Sequence, residues 1–266
     1  MQKNYIQRIP QHKAPFWKKE KPVITCLEIE LTERCDNNCI HCYINKPEKD
    51  KNALGGELST QKLKRIISEA VSLGALIVKF TGGEALLRAD FKELYLYARK
   101  LGLKVILYTN GNLISQDLIE LFKKTPPLMP IHVSIYGISR KCHEAITRKK
   151  GSYRKAMRGI RMLLRAKIPF IVRTLKLPQN RIEFSKLCRW IKSLPYSEPS
   201  IPEGTFLLLH CRRDIKKNIL IRKLRMSPVE YVNSFIRLDN FIQDRQRLFK
   251  KNNFLFNNKI FDCGVK

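Results

Sequence analysis

The chain has 266 residues, of which 44% are hydrophobic; this excludes a wholly disordered protein and allows one large domain or at most two small ones. Its 52 Lys and Arg against 23 Asp and Glu leave a net charge of +29, which favours a polyanionic, acidic or anionic-lipid partner, or else a solvated basic surface. No apolar run approaches the roughly 18 residues that would cross a bilayer, and no secretory signal opens the chain. We therefore expect a soluble cytoplasmic protein without membrane contact.

Beyond a polar arm over 1–21, the hydrophobic pattern alternates between the strand period and the helix period. The predicted strands cover residues 23–31, 76–80, 104–108, 131–135, 170–175 and 206–209. The predicted helices cover residues 60–73, 91–100, 115–123, 152–166 and 182–193. This alternation predicts an α/β protein with a parallel sheet and helices outside it. A doubly wound sheet and a closed or partial (βα) barrel both satisfy the pattern.

The repeats stop after Cys211, and residues 212–225 are predicted to be charged and irregular. The run Ser227-Pro228-Val229-Glu230 is typical of a helix start with a capping box, and predicts a helix over 227–249. The chain is therefore divided into four parts: an arm (1–21), a core (22–210), a bridging segment (211–260) and a terminal piece (261–266).

Three of the eight cysteines lie close together, in the pattern Cys35-x3-Cys39-x2-Cys42, just after the first predicted strand. Clustered thiols in a chain without a secretory signal indicate a metal site rather than a disulfide framework. Thiolates at these spacings can hold one iron–sulfur cluster from a single loop. Structural zinc is the alternative, with His41 or a distant Cys as the fourth ligand that zinc requires.

Polar residues also follow the next predicted strands. Gly82 and Gly83 leave room for a ligand to approach the backbone, and Glu84 offers a carboxylate to a ligand ammonium group. A glycine turn with a solvated Glu is the alternative. Asn110 and Ser134 lie at strand ends, where they either contact a ligand or cap the strand. Arg173 lies inside the fifth predicted strand. Its side chain points either inward, where it would pair with the carboxylate of a ligand, or outward into the solvent.

The run Cys35-x3-Cys39-x-His41-Cys42-Tyr43 resembles the signature of the radical S-adenosylmethionine (SAM) superfamily. Three further runs resemble elements of the same family, in the right order and each after a predicted strand: Thr81-Gly82-Gly83-Glu84, Tyr108-Thr109-Asn110-Gly111 and Ser134-Ile135-Tyr136-Gly137. The resemblance covers about residues 22–210. It implies a partial (βα)6 barrel, followed here by a C-terminal helical segment.

The resemblance also implies the cofactors and the chemistry. Cys35, Cys39 and Cys42 would hold three irons of a 4Fe–4S cluster, and the amino and carboxylate groups of SAM would bind the fourth. Reductive cleavage of SAM would then give a 5′-deoxyadenosyl radical that abstracts hydrogen from a substrate. The cofactor-binding residues that the resemblance and the residue chemistry together suggest are Gly82, Gly83, Glu84, Asn110, Ser134 and Arg173.

Two C-terminal runs resemble SPASM-type members of the family, many of which modify peptides or proteins. Met226-Ser227-Pro228-Val229-Glu230 is similar to their "LSPEE" bridge with two departures, and Phe261-Asp262-Cys263-Gly264 is similar to the start of their cluster-binding extension. The rest of that extension is missing from this chain, so we expect either a fragment or a shortened relative. We interpret the chain as a peptide- or protein-modifying radical SAM enzyme of oxidoreductase or maturase type.

Two other functions remain open. A radical SAM enzyme of a small-molecule or tetrapyrrole pathway would share every motif of the core. A zinc-stabilised basic protein that binds nucleic acid would explain the charge and the cysteines, but it leaves Glu84 and Asn110 unexplained. The helix over 152–166 carries a stripe of arginines, which is either a solvated face or a docking site for an acidic substrate or electron donor, such as a flavodoxin- or ferredoxin-like protein.

Overall fold

A computed structural model of the chain describes residues 24–44, 46–195, 215–225, 227 and 229–230. The strands are β1 (Cys26–Glu30), β2 (Arg34–Cys35), β3 (Lys46–Pro47), β4 (Ile77–Thr81), β5 (Lys104–Thr109), β6 (Ile131–Ser134) and β7 (Phe170–Arg173). The helices are α1 (Lys51–Gly55), α2 (Thr60–Ser72), α3 (Phe91–Lys100), α4 (Gln116–Lys124), α5 (Arg140–Thr147), α6 (Ser152–Arg165), α7 (Phe184–Ser193) and α8 (Ile215–Arg222). Two short 3-10 turns cover Ala85–Leu87 and Pro178–Asn180.

Five strands form one parallel sheet in the order β1-β4-β5-β6-β7, so that each strand pairs with the next main strand along the chain. Glu28 pairs with Lys79, Tyr108 with His132 and Ser134 with Arg173. Parallel strands joined by helices present all their carboxyl ends at the same edge. The loops after these strands therefore meet at one edge of the sheet, as the α/β prediction requires.

Alternating residues of β4 and β5 enter the hydrophobic core. Val78 and Phe80 are fully buried, as are Val105 and Leu107, and they pack with the apolar faces of the surrounding helices. The residues between them, Lys79 among them, are only partly buried. Buried apolar residues recur every second position on β4 and β5 and about every 3.6 positions on the helices. The core therefore lies between one face of these strands and the helices that cover it.

Serine side chains start three of the helices. Ser59, Ser115 and Ser139 each accept a hydrogen bond from the backbone N–H three residues further on, at the starts of α2, α4 and α5. The same device occurs at Ser227, whose hydroxyl accepts from the Glu230 N–H at 3.2 Å while the Glu230 carboxylate accepts from the Ser227 N–H. The capping box predicted at 227–230 is therefore present.

The structure corrects several details of the predicted pattern. Helix α8 forms within residues 212–225, which were expected to be irregular; its apolar residues follow no clean helical period, yet Ile221 is fully buried. Helices α1 and α5 were also missed, because each spans at most eight residues and offers little periodicity. The predicted strand over 206–209 lies outside the described residues, as does the predicted helix over 227–249 beyond its first turn.

The sheet is an open one of five strands in the described part of the chain, and it agrees with a partial rather than a closed barrel. No helix in these described ranges is long and apolar enough to span a membrane.

Candidate functional site

The three clustered cysteines lie on one loop that begins at the end of β2. Cys35 is the last residue of β2, and Cys39 and Cys42 follow it in the loop. All three are partly buried free thiols. We call residues 35–42 the cysteine loop. It presents three sulfur ligands beside the carboxyl ends of the parallel strands, where α/β proteins bind their ligands.

The cysteine loop is anchored on the end of helix α5. The Asn38 N–H donates to the Thr147 carbonyl at 2.9 Å, and the Ile40 N–H donates to the Ile146 carbonyl at 2.9 Å. Carbonyls in the last turn of a helix lack partners within the helix, so the loop satisfies them. The position of the cysteines is therefore set partly by a helix more than a hundred residues away in sequence.

The sulfur of Cys35 receives hydrogen bonds from two N–H donors. The Asn37 backbone N–H lies 3.4 Å from it, and the Asn110 side-chain nitrogen lies 3.7 Å from it. Burial, followed by the nearby Glu84 carboxylate, raises the pKa of Cys35 to about 12. Burial, followed by Cys42, raises the pKa of Cys39 well above its usual range. Both thiols are protonated at neutral pH, so metal binding must release protons.

Asp36 connects the cysteine loop to the loop that follows β5. Its side chain is only 6% exposed; Oδ1 accepts from Asn110 Nδ2 at 2.6 Å and Oδ2 accepts from Asn112 Nδ2 at 2.8 Å. Asn112 also donates to Asn37 Oδ1 at 3.1 Å. Asp36 and Asn112 were not among the predicted site residues. The available signal was a polar side chain inside the cysteine motif and another directly after the run Tyr108–Gly111.

Glu84 is buried, 1% exposed, and its carboxylate is held by three protein donors. Oε1 accepts from Thr109 Oγ1 at 2.7 Å and from the Leu86 N–H at 3.2 Å, and Oε2 accepts from the Asn110 N–H at 2.7 Å. Burial raises the pKa of Glu84 to about 7, although these hydrogen bonds act in the opposite direction. The carboxylate thus joins the ends of β4 and β5, a structural role that the sequence did not indicate.

The two glycines before Glu84 allow a close approach of backbone to backbone. A Cβ on Gly82 would lie 2.4 Å from the Thr32 carbonyl oxygen, and one on Gly83 would lie 2.2 Å from the Arg34 carbonyl oxygen. In this arrangement the Gly83 N–H donates a hydrogen bond to the Thr32 carbonyl oxygen at 2.7 Å. The structure therefore gives these glycines a reason that we did not predict, the packing of β4 against the segment leading to the cysteine loop. Their predicted contact with a cofactor stays a prediction.

Ser134 lies at the end of β6, close to an aromatic group beside the cysteines. It hydrogen-bonds to the partly buried Tyr136, whose pKa is raised well above its usual range by burial of the hydroxyl group and by Cys39. The ring of His41 meets the Tyr136 ring edge-on, with centroids 4.8 Å apart. Burial lowers the pKa of His41 to about 4, so this ring is neutral at physiological pH.

Arg173 lies opposite Ser134 in the sheet register and contacts two rings on the same face. Its Nε donates to His132 Nδ1 at 3.0 Å, and its guanidinium lies over the Tyr108 ring, 6.0 Å from the centroid. Burial, followed by Arg173, lowers the pKa of His132 to about 3. Arg173 therefore contacts a neutral histidine, and its predicted contact with a cofactor carboxylate stays a prediction.

The predicted residues thus form two groups. Cys35, Glu84 and Asn110 are directly linked through hydrogen bonds and charge, while Ser134 and Arg173 share a register on β6 and β7. Within the described ranges, no three His, Cys, Asp or Glu side chains are grouped so as to hold a single metal ion.

A profile of the Radical SAM superfamily matches residues 29–191. The chain belongs to the radical SAM superfamily. Members of this family use a 4Fe–4S cluster and SAM, and the donor set fits: three free thiols share one loop, and Cys35 accepts the N–H···S hydrogen bonds typical of iron–sulfur sites.

Individual relatives fall into two functional groups. Fe-coproporphyrin III synthase of Methanosarcina barkeri is 33% identical over 154 residues, covering 58% of this chain and 37% of that protein. Mycofactocin maturase MftC of Mycobacterium tuberculosis is 33% identical over 141 residues, covering 53% of this chain and 34% of that protein. The chain therefore matches only about a third of the length of these curated relatives.

The fold is shared with SuiB of Streptococcus suis. Its structure bound to S-adenosylmethionine matches with a TM-score of 0.61 at 16% identity, covering 91% of this chain and 52% of that one. Its structure bound to the precursor peptide SuiA matches with a TM-score of 0.54 at 20% identity, covering 67% of this chain and 40% of that one.

Proposed function

We propose that this protein is a radical SAM enzyme in which Cys35, Cys39 and Cys42 hold a 4Fe–4S cluster for the reductive cleavage of SAM. The proposal is carried by the contacts among Cys35, Glu84 and Asn110, which lie at or just beyond the ends of three different strands and are linked by hydrogen bonds and charge. When bound, the cluster and SAM supply a 5′-deoxyadenosyl radical that removes a hydrogen atom from an unactivated C–H group.

The chain's own residues bind and orient the cofactor. The Glu84 carboxylate, whose pKa burial raises to about 7, would ionise fully beside the ammonium group of SAM, because an opposite charge favours the charged form. Asn110 fixes this carboxylate through its backbone N–H and contacts Cys35 through its side chain. The remaining proposed cofactor-binding residues are Gly82, Gly83, Ser134 and Arg173.

Two aromatic rings beside the cysteine loop would shield the site from water. The partly buried Tyr136 lies next to the three thiols, and the buried, neutral His41 packs against it without adding charge. Exclusion of water protects a radical from side reactions. We therefore assign Tyr136 and His41 a shielding role at this site.

The substrate that we favour is a peptide or protein. The support comes from MftC, a maturase by name, and from SuiB, which was solved with a precursor peptide. The loose similarity of residues 226–230 to the SPASM bridge points in the same direction. The core of this enzyme would span residues 22–210, with 211–260 as a bridging segment.

A tetrapyrrole substrate is the second candidate, because Fe-coproporphyrin III synthase is as similar in sequence as MftC. The partly buried cations Lys79 and Arg173 on the sheet face would suit the carboxylates of such a ring.

The reaction also needs one electron, which we propose comes from an acidic flavodoxin- or ferredoxin-like protein. We place the enzyme in the cytoplasm, since all six cysteines in the described residues are free thiols and an iron–sulfur enzyme of this kind needs a reducing compartment.

Anaerobic reconstitution with iron and sulfide tests the class of protein. We expect a brown protein with iron–sulfur absorption that converts SAM to methionine and 5′-deoxyadenosine when a reductant is added. A colourless protein that binds zinc and nucleic acid instead would contradict the proposal.

The substrate is tested by mass spectrometry. The reconstituted enzyme is incubated with peptides encoded beside its gene and, separately, with an iron tetrapyrrole that carries carboxylate side chains. A SAM-dependent mass change in a peptide supports the first candidate, and one in the tetrapyrrole supports the second.

A further inference from the structure

Positive charge is concentrated on helices α5 and α6. Residues 140–165 include ten Lys and Arg but one carboxylate, Glu144, and all ten cations are exposed. Six of them lie at the start of α5, on the connection to α6 or in the first turn of α6, and we call them the basic α5–α6 surface: Arg140, Lys141, Arg148, Lys149, Lys150 and Arg154. Glu144 Oε1 accepts from the Gly151 N–H at 2.8 Å, so the one carboxylate holds the connection in place.

These cations are not neutralised by neighbouring carboxylates. Among the described residues, none of the ten forms an ion pair, whereas exposed cations of α2 and α3 do, as in Arg65–Glu69 at 2.8 Å and Lys92–Asp117 at 3.1 Å. A group of unpaired charges of one sign creates a potential that attracts an oppositely charged partner.

The basic α5–α6 surface includes a concave region. A cavity of about 860 Å³ is lined by four of its cations, Arg140, Lys141, Lys150 and Arg154, together with Glu144 and Gly151. A concave basic site concentrates its field and fits protruding acidic side chains.

The surface lies next to the cysteine loop. Ile146 and Thr147, whose carbonyls accept the loop's N–H groups, directly precede Arg148 in the chain. On α6, Arg158 donates to the Asn112 carbonyl at 3.4 Å, and Asn112 in turn holds Asp36 of the loop. A protein bound at these cations would therefore lie beside the loop that carries the cluster ligands.

We propose that the basic α5–α6 surface is the docking site for an acidic electron-donor protein that reduces the cluster, an inference that rests on the proposed function. A flavodoxin-like donor would lose one electron, its flavin hydroquinone becoming the semiquinone, and that electron would pass to the cluster. No atom is transferred. Opposite charges would steer the two proteins into contact and orient the donor's cofactor towards the cysteine loop.

The same charge would attract nucleic acid, but the surface lacks a feature that single-stranded nucleic acid uses. Proteins that bind single-stranded nucleic acid stack its bases on exposed aromatic rings that lie between their basic residues. The one aromatic residue in 140–165, Tyr153, is partly buried and its hydroxyl donates to the Ile138 carbonyl.

The test compares two charge-reversal variants in the reconstituted full chain. Lys149→Glu/Lys150→Glu changes the surface, and Lys100→Glu/Lys124→Glu makes the same charge change on exposed residues at the C-terminal ends of α3 and α4, the opposite end of the sheet. Cluster reduction is followed by the loss of iron–sulfur absorption, with either chemically reduced flavodoxin or photoreduced deazariboflavin, a small neutral donor.

With flavodoxin at low ionic strength, we expect the Lys149/Lys150 variant to be reduced at least about tenfold more slowly than the wild type, and the difference to shrink as salt is added. With deazariboflavin, wild type and both variants should react alike. Equal rates with flavodoxin, or an equal loss in the Lys100/Lys124 variant, would overturn the docking site alone. A wild type that assembles no cluster would overturn the proposed function and this inference with it.

A binding measurement separates protein from nucleic acid. Calorimetry at low salt should show flavodoxin binding to the wild type and weakened binding to the Lys149/Lys150 variant. If a single-stranded RNA of matched charge binds the wild type more tightly and loses affinity in the same variant, the surface is a nucleic-acid site and the inference is wrong.

Discussion

Asn110 donates a hydrogen bond of 2.6 Å to Asp36, a residue 74 positions earlier in the chain, and the same nitrogen lies 3.7 Å from the sulfur of Cys35. One amide thus joins the end of β5 to the cysteine loop and also contacts a cluster ligand. Hydrogen bonds to ligand sulfurs are among the factors that set the reduction potential of an iron–sulfur cluster.

The first prediction concerns this amide. Asn110→Ala should make the cluster harder to reduce, because the N–H···S bond favours the more negatively charged reduced state. A hydrogen bond worth about 1 kcal/mol corresponds to about 40 mV for one electron. An EPR-monitored redox titration measures the shift. Asn112→Ala is the control, since it loosens Asp36 but leaves the Asn110–Cys35 contact, and its potential should move less. Equal shifts would mean that only loop position matters.

The second prediction is that the cysteine loop holds the cluster as one unit. Cys39→Ala should lose both the bound iron and SAM cleavage, because two thiolates do not hold a 4Fe–4S cluster stably. Cys26→Ala, which changes an exposed free thiol on β1, should keep both. Iron analysis after anaerobic reconstitution and chromatography of 5′-deoxyadenosine provide the readouts. Full iron content in the Cys39 variant would rule out the assignment.

The third prediction addresses Glu84 as the partner of the SAM ammonium group. Glu84→Gln should keep the cluster but weaken SAM binding by about 1–3 kcal/mol, the range for a hydrogen bond to a charged group. Glu93→Gln, at an exposed carboxylate on α3, serves as the matched control and should bind as the wild type does. Anaerobic calorimetry measures both. An unchanged affinity would leave Glu84 with its structural role alone.

The fourth prediction follows from the buried carboxyl group of Glu84, whose pKa rises from 4.5 to about 7 on folding. Between these values the folded state binds more protons than the unfolded state, so this group's contribution to stability is complete below pH 4.5 and is lost as pH rises through 7. Relative to Glu84→Gln, the free energy of unfolding of the cluster-free wild type should fall by at most about 1.4 kcal/mol for each pH unit in this window. Urea unfolding at several pH values checks the slope, and a constant difference would mean that Glu84 stays ionised.

The fifth prediction tests the close approach at Gly83. Gly83→Ala would place a methyl group 2.2 Å from the Arg34 carbonyl oxygen, and the resulting strain should cost about 1–3 kcal/mol in the free energy of unfolding. Gly56→Ala is the control, because its φ is negative and its new Cβ would meet neighbours at ordinary distances. It should be neutral or stabilising by up to about 1 kcal/mol. Denaturant unfolding compares the two, and equal stabilities would contradict the packing argument.

The sequence by itself was sufficient to predict the elements that depend only on residues close together in the chain. The five strands of the main sheet form where short apolar runs predict them, and five of the helices form where the 3.6-residue period predicts them. Ser227 and Glu230 show the same for a helix start, since a capping box needs residues only three apart. The cysteine loop belongs to this class as well, because eight consecutive residues bring its three thiols together.

Only the tertiary structure decided what surrounds those residues. The link between Asp36 and Asn110, the burial of Glu84 beneath Asn110, and the anchoring of the cysteine loop on Thr147 each join segments that no local pattern connects. They arise because adjacent parallel strands have their carboxyl ends at the same edge of the sheet. Polar groups buried there are excluded from water and must form hydrogen bonds with one another. Short helices such as α5 were missed for a related reason: eight residues carry too little periodicity to predict a helix, and packing against the core stabilises it.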